Sequence, residues 1–337
     1  MSNNNIVPSS SIILVIGSII WGINHLLAKR RDSLDMLVYI IGGIILSMCS
    51  SHKQLWFTPV EMLGDVGVIS LMFLAGTMVR PAVFHRERNT TLQIAVSGMI
   101  VPLVLTFVTM RFVLGFSIKT SVVTSIALSI TAEASSAKVL LDRGKIDTSY
   151  GSTILASGII DDIVGIGAFI IIMALHVNVS ISSIILIVTI VAAFFAGYML
   201  KSKVTPDKIA QHPLFIISVG FFFLSLGHNI KFKNVFNTYL PFVLLLVAII
   251  GKVGGVMLNY GSVPFNVNEL GIIAWGMNSR GVIGLGIVLI ALRQGLITPA
   301  IFTSILFVAL VTIFIFPPIL DRYIKRIDAS NKNKKVV

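Results

Sequence analysis

Long apolar runs alternate with short polar loops along most of the chain, and the apolar runs are continuous. A helix needs about 20 such residues to cross the hydrocarbon core of a bilayer. Continuous runs favour helices over a β-barrel, whose strands alternate apolar and polar residues. The pattern predicts an all-α polytopic membrane protein of about eleven transmembrane helices, near residues 11–28, 36–50, 59–79, 92–114, 120–141, 151–175, 181–200, 213–230, 239–259, 268–291 and 298–318.

Composition supports the same class, because 55% of the residues are apolar and only 12% are charged. Soluble domains are about 25% charged, and no soluble fold of this size could bury so much apolar surface. We therefore expect one membrane transporter domain over residues 1–337, with a short basic tail at 322–337 that frays. The net charge of +12 lies in loops rather than in a basic stripe with aromatics, so nucleic acid is not an expected partner.

The distribution of Lys and Arg predicts the orientation in the membrane. If the N-terminus is outside, the cytoplasmic loops and tail hold 17 Lys and Arg, the external loops hold six, and three fall inside spans. Cytoplasmic loops carry such an excess in membrane proteins. The N-terminal residues MSNNNIVPSS lack the features of a signal peptide. We expect a multi-pass protein of the cell membrane, with its N-terminus outside and its C-terminus in the cytoplasm.

Three acidic residues lie well within predicted spans: Glu133, Asp161 and Asp162. The other acidic residues fall in loops or near helix ends. An ionised side chain at the bilayer centre costs about 2.5–3.5 kcal/mol on insertion scales, so such residues usually mark an ion or proton pathway. The three acids therefore predict a site for a monovalent cation or protons inside the membrane.

The adjacent acids should have different partners, because neighbouring helix residues point about 100° apart. Lys252, in the segment GKVGG, is the candidate cation for one of them. Glycines on both sides of it would let another helix backbone come close. The alternative is an inert buried ion pair that only fixes helix register. We favour function, because buried ion pairs are weak sources of stability.

Two predicted spans contain residues that could interrupt a helix. Around Glu133 the sequence SITAEASSAKVL holds Thr131 and Ser135, and hydroxyl side chains can satisfy backbone groups freed by a break. The second, IIAWGMNSRGVIGLGIVLIA, holds four glycines together with Asn278 and Arg280. Its half-helix ends would expose N–H and C=O groups to a cavity. Close packing of continuous helices through small residues would explain the same residue types.

The interrupted spans sit in the middle of two helix triplets, over residues 92–175 and 239–318. With the N-terminus outside, the first triplet begins toward the outside and the second toward the inside, so the triplets are inverted. Inverted repeats with broken helices near the midplane are typical of secondary transporters.

Several segments together resemble a known family. They are GDVGVISLMFLAG (64–76), SITAEASSAKVLLDRG (129–144), ASGIIDDIVG (156–165), FFAGYML (194–200), PLFIISVG (213–220), GKVGG (251–255) and GMNSRGVIGL (276–285). In this order, over a family-like core at 59–318, they resemble the monovalent cation:proton antiporter superfamily, in its double-aspartate sodium/proton and Kef-like branch. The resemblance implies two crossed discontinuous helices and a homodimer formed through a separate domain.

The resemblance also implies roles for individual residues. Asp162 would bind the monovalent cation and the proton, Asp161 would pair with Lys252, and Thr131 would lend an oxygen near the first break. Arg280 would be a structural or gating residue. Glu133, Ser135 and Asn278 are auxiliary candidates, given only by their place in the interrupted segments.

The function expected from these residues is secondary antiport of Na⁺ or K⁺ against H⁺ by alternating access, without a cofactor and with net movement of charge. One alternative is a sodium-coupled transporter of an organic anion, which Arg280 and half-helix N-termini could bind. A channel is a second. An intramembrane metalloenzyme is a third, but the six histidines are scattered and form no HExxH motif.

Overall fold

The computed structural model describes residues 34–49, 53–78, 88–175, 181–203, 205–230 and 239–334. Within these ranges the secondary structure is helical, without strands. The helices are α1 (Leu34–Cys49), α2 (Lys53–Met78), α3 (Arg88–Val108), α4 (Ile118–Ser129), α5 (Glu133–Asp142), α6 (Ser149–Ala174), α7 (Ile181–Leu200), α8 (Pro206–Ala210), α9 (Pro213–His228), α10 (Leu240–Met257), α11 (Val267–Gly276), α12 (Val282–Arg293) and α13 (Pro299–Lys334).

The apolar helices follow the predicted spans, and the all-α fold class is confirmed. The predicted span 11–28 lies outside the described residues. Within the described residues, four segments are long and apolar enough to cross a membrane by length and composition: Asn89–Val113, Ser149–Met173, Leu240–Met257 and Pro299–Asp328. Shorter apolar helices occur in α1, α4, α7, α9 and α12.

Both spans with interrupting residues are broken. The span predicted at 120–141 is divided into α4 and α5 by Ile130 to Ala132, and the backbone of Ile130 is extended. The span predicted at 268–291 is divided into α11 and α12 by residues 277–281. The alternative of continuous helices packed through small residues is wrong for these two segments.

The C-terminal helix α13 is longer than the apolar run that predicted it. The tail expected to fray from residue 322 is helical through Lys334. Leu320 and Ile324 explain the difference, because both are buried in an apolar cluster with residues of α5, α6 and α11. The polar residues end the apolar run in the sequence, but one face of the helix stays apolar.

The helix α2 also begins earlier than predicted, at Lys53 rather than near residue 59. Glu61 and Asp65, which were expected near a helix end, therefore lie well inside α2. Both side chains are half-buried.

The described helices form two compact units, of which one contains α1, α2 and α7 to α9. Glycines bring its helix backbones into contact. A Cβ atom on Gly76 would lie 2.0 Å from the carbonyl oxygen of Phe194, and one on Gly197 would lie 2.0 Å from that of Phe73. Such close approach through small residues is how membrane helices associate without a hydrophobic driving force.

The other unit contains α3 to α6 and α10 to α13. Here α3 and α10 are in backbone contact. A Cβ atom on Gly251 would lie 2.6 Å from Cα of Pro102, and one on Gly255 would lie 2.5 Å from the carbonyl oxygen of Ser97. These contacts lie on both sides of Lys252 and hold its helix against α3, as the glycine pattern predicts.

Candidate functional site

The two helix breaks contact each other inside the second unit. The backbone N–H of Ala132 donates to the carbonyl oxygen of Ser279 at 2.8 Å. The hydroxyl oxygens of Ser135 and Ser279 lie 2.8 Å apart, and the Ser279 hydroxyl also donates to the carbonyl oxygen of Ala132 at 3.3 Å. Backbone groups freed by one break are thus satisfied by the other.

The two broken segments cross in opposite directions. The helix α4 lies beside α12, where a Cβ atom on Gly284 would be 2.9 Å from the carbonyl oxygen of Ala127. The helix α5 lies beside α11, where the hydroxyl of Ser136 donates to the carbonyl oxygen of Gly276. The first half of each broken segment therefore lies beside the second half of the other. Four half-helix ends converge, two presenting carbonyl groups and two presenting N–H groups.

A buried ion pair sits at this crossing. Nζ of Lys252 donates to Oδ2 of Asp161 at 2.6 Å, and both side chains are fully buried. The hydroxyl of Thr131 donates to the same oxygen at 2.6 Å. Nζ of Lys252 also donates to the carbonyl oxygen of Ser129 at 3.1 Å, at the C-terminal end of α4. A cation there offsets the partial negative charge of a helix C-terminus.

The position of Asp161 follows from one face of α6. Ile154, Asp161 and Gly165 are spaced by seven and four residues, which places them on the same side of the helix. A Cβ atom on Gly165 would lie 2.4 Å from Cδ1 of Ile130 in the first break. A Cβ atom on Gly276 at the second break would lie 2.7 Å from Cδ1 of Ile154. This face of α6 therefore packs along both breaks.

Asp162 follows Asp161 on α6 and is also buried, with 4% of its surface exposed. Its side chain points about 100° away from that of Asp161. Two acids therefore enter the interior of the second unit from adjacent positions, and the charge of one of them is offset by Lys252.

Of the auxiliary candidates, Arg280 is buried and its Nη2 donates to the carbonyl oxygen of Ala248 at 2.7 Å. Its backbone N–H donates to Oγ1 of Thr312 at 3.1 Å. Asn278 is fully buried in the second break. Ser135 is part of the hydroxyl pair at the crossing. Glu133 begins α5, and its side chain lies outside the described residues.

Three groups that build the site were not predicted from the sequence: the hydroxyl of Ser279 and the carbonyl groups of Ser129 and Ala248. Ser279 could have been predicted, because hydroxyl residues occur in both interrupted segments. The carbonyl groups had none, since every residue carries one and only the fold selects its partner.

A multi-pass helical protein with crossed broken helices and buried carboxylates has the architecture of a secondary transporter. The sequence profile described as "Sodium/hydrogen exchanger, transmembrane" matches residues 11–202 and 168–326. The chain therefore belongs to the sodium/hydrogen exchanger family, as the motifs predict, and it is a cation/proton antiporter rather than an enzyme.

Relatives and a solved structure agree with this class. The Na⁺/H⁺-K⁺ antiporter GerN of Bacillus cereus is 27% identical, over 88% of this chain and 90% of that protein. A Na⁺/H⁺ antiporter of Enterococcus hirae is 23% identical, over 86% and 93%. The sodium proton antiporter MjNhaP1 of Methanocaldococcus jannaschii shares the fold, with a TM-score of 0.68 at 13% identity, covering 94% of this chain and 98% of that one.

Proposed function

We propose that the protein exchanges Na⁺ or K⁺ for protons by alternating access, with Asp162 binding the cation and the proton in turn. The observation that carries this proposal is the buried position of Asp162 next to an acid whose charge is already offset. Asp161 shares one oxygen between Lys252 and Thr131, so a cation binding there would compete with an ion pair. Asp162 is the remaining acid of the pair.

The physical basis of exchange is the cost of a buried charge. Moving an ionised carboxylate through a low-dielectric interior costs several kcal/mol, and either a proton or a cation neutralises it. Protons and alkali cations compete for the same carboxylate oxygens, since hard cations prefer oxygen ligands. If the site changes the side of the membrane to which it is exposed only when Asp162 is neutralised, the protein carries a cation in one direction and protons in the other. The empty, charged site does not cross, so neither ion moves alone.

The test uses purified protein in proteoliposomes with a fluorescent reporter of the pH gradient. Adding Na⁺, K⁺ or Li⁺ should dissipate the gradient for the unmodified protein, and the most effective cation identifies the substrate. Asp162→Asn should abolish recovery with all three cations while the protein still inserts. Asp147→Asn, at an exposed position between α5 and α6, is the matched control and should exchange normally. Full exchange by Asp162→Asn would overturn the assignment.

We further propose that exchange is electrogenic. If the pair of Asp161 and Lys252 takes or releases a proton in each cycle, in addition to Asp162, two protons move per cation and one net charge crosses the membrane. Currents on a solid-supported membrane should then follow a Na⁺ or K⁺ step. In Lys252→Gln the current should disappear while electroneutral exchange persists. Unchanged current in this variant would argue against a role of Lys252 in the proton count.

Orientation and assembly belong to the same proposal. The distribution of Lys and Arg favours an external N-terminus and a cytoplasmic C-terminus, and the family resemblance favours a homodimer in the lipid bilayer. Labelling of single cysteines placed in the predicted loops of intact cells tests the first expectation. Cross-linking in native membranes, followed by mass determination, tests the second. A monomer that exchanges at the full rate would contradict the dimer.

A further inference from the structure

The second break contains a buried polar side chain that its surroundings do not satisfy. Asn278 is fully buried, yet neither the oxygen nor the nitrogen of its amide has a hydrogen-bond partner among the described residues. Leaving such groups unpaired is unfavourable, and native structures contain few of them. A residue of this kind in a transport site therefore needs an explanation.

The backbone on both sides of this side chain is fixed. The N–H of Asn278 donates to the carbonyl oxygen of Trp275 at 3.3 Å. Ser279 is bonded to the first break through Ala132 and Ser135, and the N–H of Arg280 is bonded to Thr312. The amide is therefore held at the crossing by bonds that do not involve it. An apolar side chain of similar size would fill the same place at lower cost.

The neighbouring polar side chains differ from Asn278. Thr131, Ser135, Ser136 and Ser279 each make a hydrogen bond at or near the crossing. On Asp161, Oδ2 has two donors, whereas Oδ1 has no partner among the described residues. The site thus contains an acceptor oxygen and an amide that are both buried and both available to a ligand.

We infer that Asn278 is a specificity-determining residue of the transport site, whose amide oxygen is a ligand of the transported cation. This inference rests on the proposed exchange at Asp162. A neutral carbonyl oxygen suits a weakly held alkali cation, because it adds a hard ligand without adding charge. A proton bound to a carboxylate needs only one acceptor for its O–H and depends less on this oxygen than a cation that needs several oxygen ligands. Asn278 therefore separates cation binding from proton binding.

One substitution separates the loss of a cation ligand from a loss of stability. Asn278→Leu removes the amide but keeps the volume, so the empty protein should unfold at the same or a higher temperature than the unmodified protein. Its KM for the cation should rise by about tenfold or more, as expected when a ligand is lost. Its dependence on proton concentration should change little. A purely structural asparagine would instead give a lower unfolding temperature.

A second readout is independent of transport. Na⁺, K⁺ or Li⁺ should raise the unfolding temperature of the unmodified protein in detergent, because a ligand stabilises the state that binds it. The concentration required should be higher for Asn278→Leu. Asn278→Ser, which retains an oxygen on a shorter side chain, should restore part of the affinity and change the order of preference among the three cations.

Thr106→Val is the matched control. Its hydroxyl is also buried and lacks a partner among the described residues, but it lies in α3 and not in a helix break. The variant should change stability without changing the KM for the cation. If Asn278→Leu keeps the unmodified KM while Asp162→Asn is inactive, this inference fails and the proposed function stands. If the unmodified protein does not exchange any of the cations, the proposed function itself fails.

Discussion

At the scale of single residues, the buried pair of Asp161 and Lys252 raises the question of why it is there. Removing two charges from water costs several kcal/mol per ion, and mutual attraction at 2.6 Å returns part of that cost only when further hydrogen bonds are made. Thr131 and the carbonyl group of Ser129 supply such bonds. The arrangement satisfies both charges, but well-packed apolar residues in the same place would avoid the cost of removing charges from water. This favours a role in transport over a role in register.

A pair of variants separates these roles. Lys252→Met leaves a buried carboxylate without its cation and should lower the free energy of unfolding by about 3–5 kcal/mol. Combining it with Asp161→Leu removes both charges and should recover most of that loss, measured by thermal unfolding in detergent. Exchange by the double variant should carry no current, as expected for Lys252→Gln. A double variant as unstable as the single one would mean that the ion pair itself fixes helix register.

At the scale of elements, the close contact between α3 and α10 determines the position of Lys252, which lies on α10. A Cβ atom on Gly255 would lie 2.5 Å from the carbonyl oxygen of Ser97 and 3.1 Å from Cα of Gly98, and both are backbone atoms that cannot rotate away. Gly255 lies about one turn after Lys252. The distance between these two helices therefore sets how far the ammonium group reaches toward Asp161.

Two neighbouring glycines provide the test of this contact. Gly255→Ala should push the helices apart, lower the free energy of unfolding by about 1–3 kcal/mol and reduce exchange. Gly254→Ala meets no atom within 4 Å, so it should be neutral or stabilising by up to about 1 kcal/mol. Unfolding temperature and exchange rate are measured for both. Equal effects of the two substitutions would show that helix propensity, and not close approach, determines the outcome.

The elements also show what could be predicted from the sequence. The span at 181–200 has the bounds of α7, because lipid-facing apolar runs end where polar loops begin. That Lys252 pairs with one of the two adjacent acids was predictable because few charges lie inside the spans, and the family resemblance implied that this acid is Asp161. The limits of the first break were not predictable, because Ile130, Thr131 and Ala132 are residue types that also occur within continuous membrane helices. The partner of Ala132 is a backbone carbonyl far along the chain, which no local pattern reveals.

At the scale of the whole molecule, the end of α13 connects the site to an exposed surface of the second unit. Arg143 donates to Asp321 at 2.5 Å and Lys145 donates to Asp328 at 2.9 Å, so the turn between α5 and α6 is paired with α13. The hydrogen bond that Lys145 donates to Asp328 raises the pKa of Lys145. A lysine whose pKa is raised on folding stabilises the fold fully at any pH below the ordinary lysine pKa. That stabilisation is lost only as the pH rises through the raised pKa. Lys145 therefore stays charged across the neutral range, and it does not explain a pH dependence of exchange there.

Two truncations distinguish the apolar contact of α13 from its ionic contacts. Exposed ion pairs contribute only about 0.2–1 kcal/mol each, whereas removing one large buried side chain costs about 2–5 kcal/mol. Ending the chain after Asp328 keeps Leu320, Ile324 and both ion pairs, so insertion, unfolding temperature and exchange should stay close to those of the unmodified protein. Ending it after Ile319 removes the apolar face, and the protein should unfold far below the unmodified one. The variant Asp321→Asn with Asp328→Asn should lie near the first truncation and lose little stability, because burial of the apolar face, rather than charge, attaches α13 to the half-helices of the site. A large loss in this double variant would assign that attachment to the ion pairs instead.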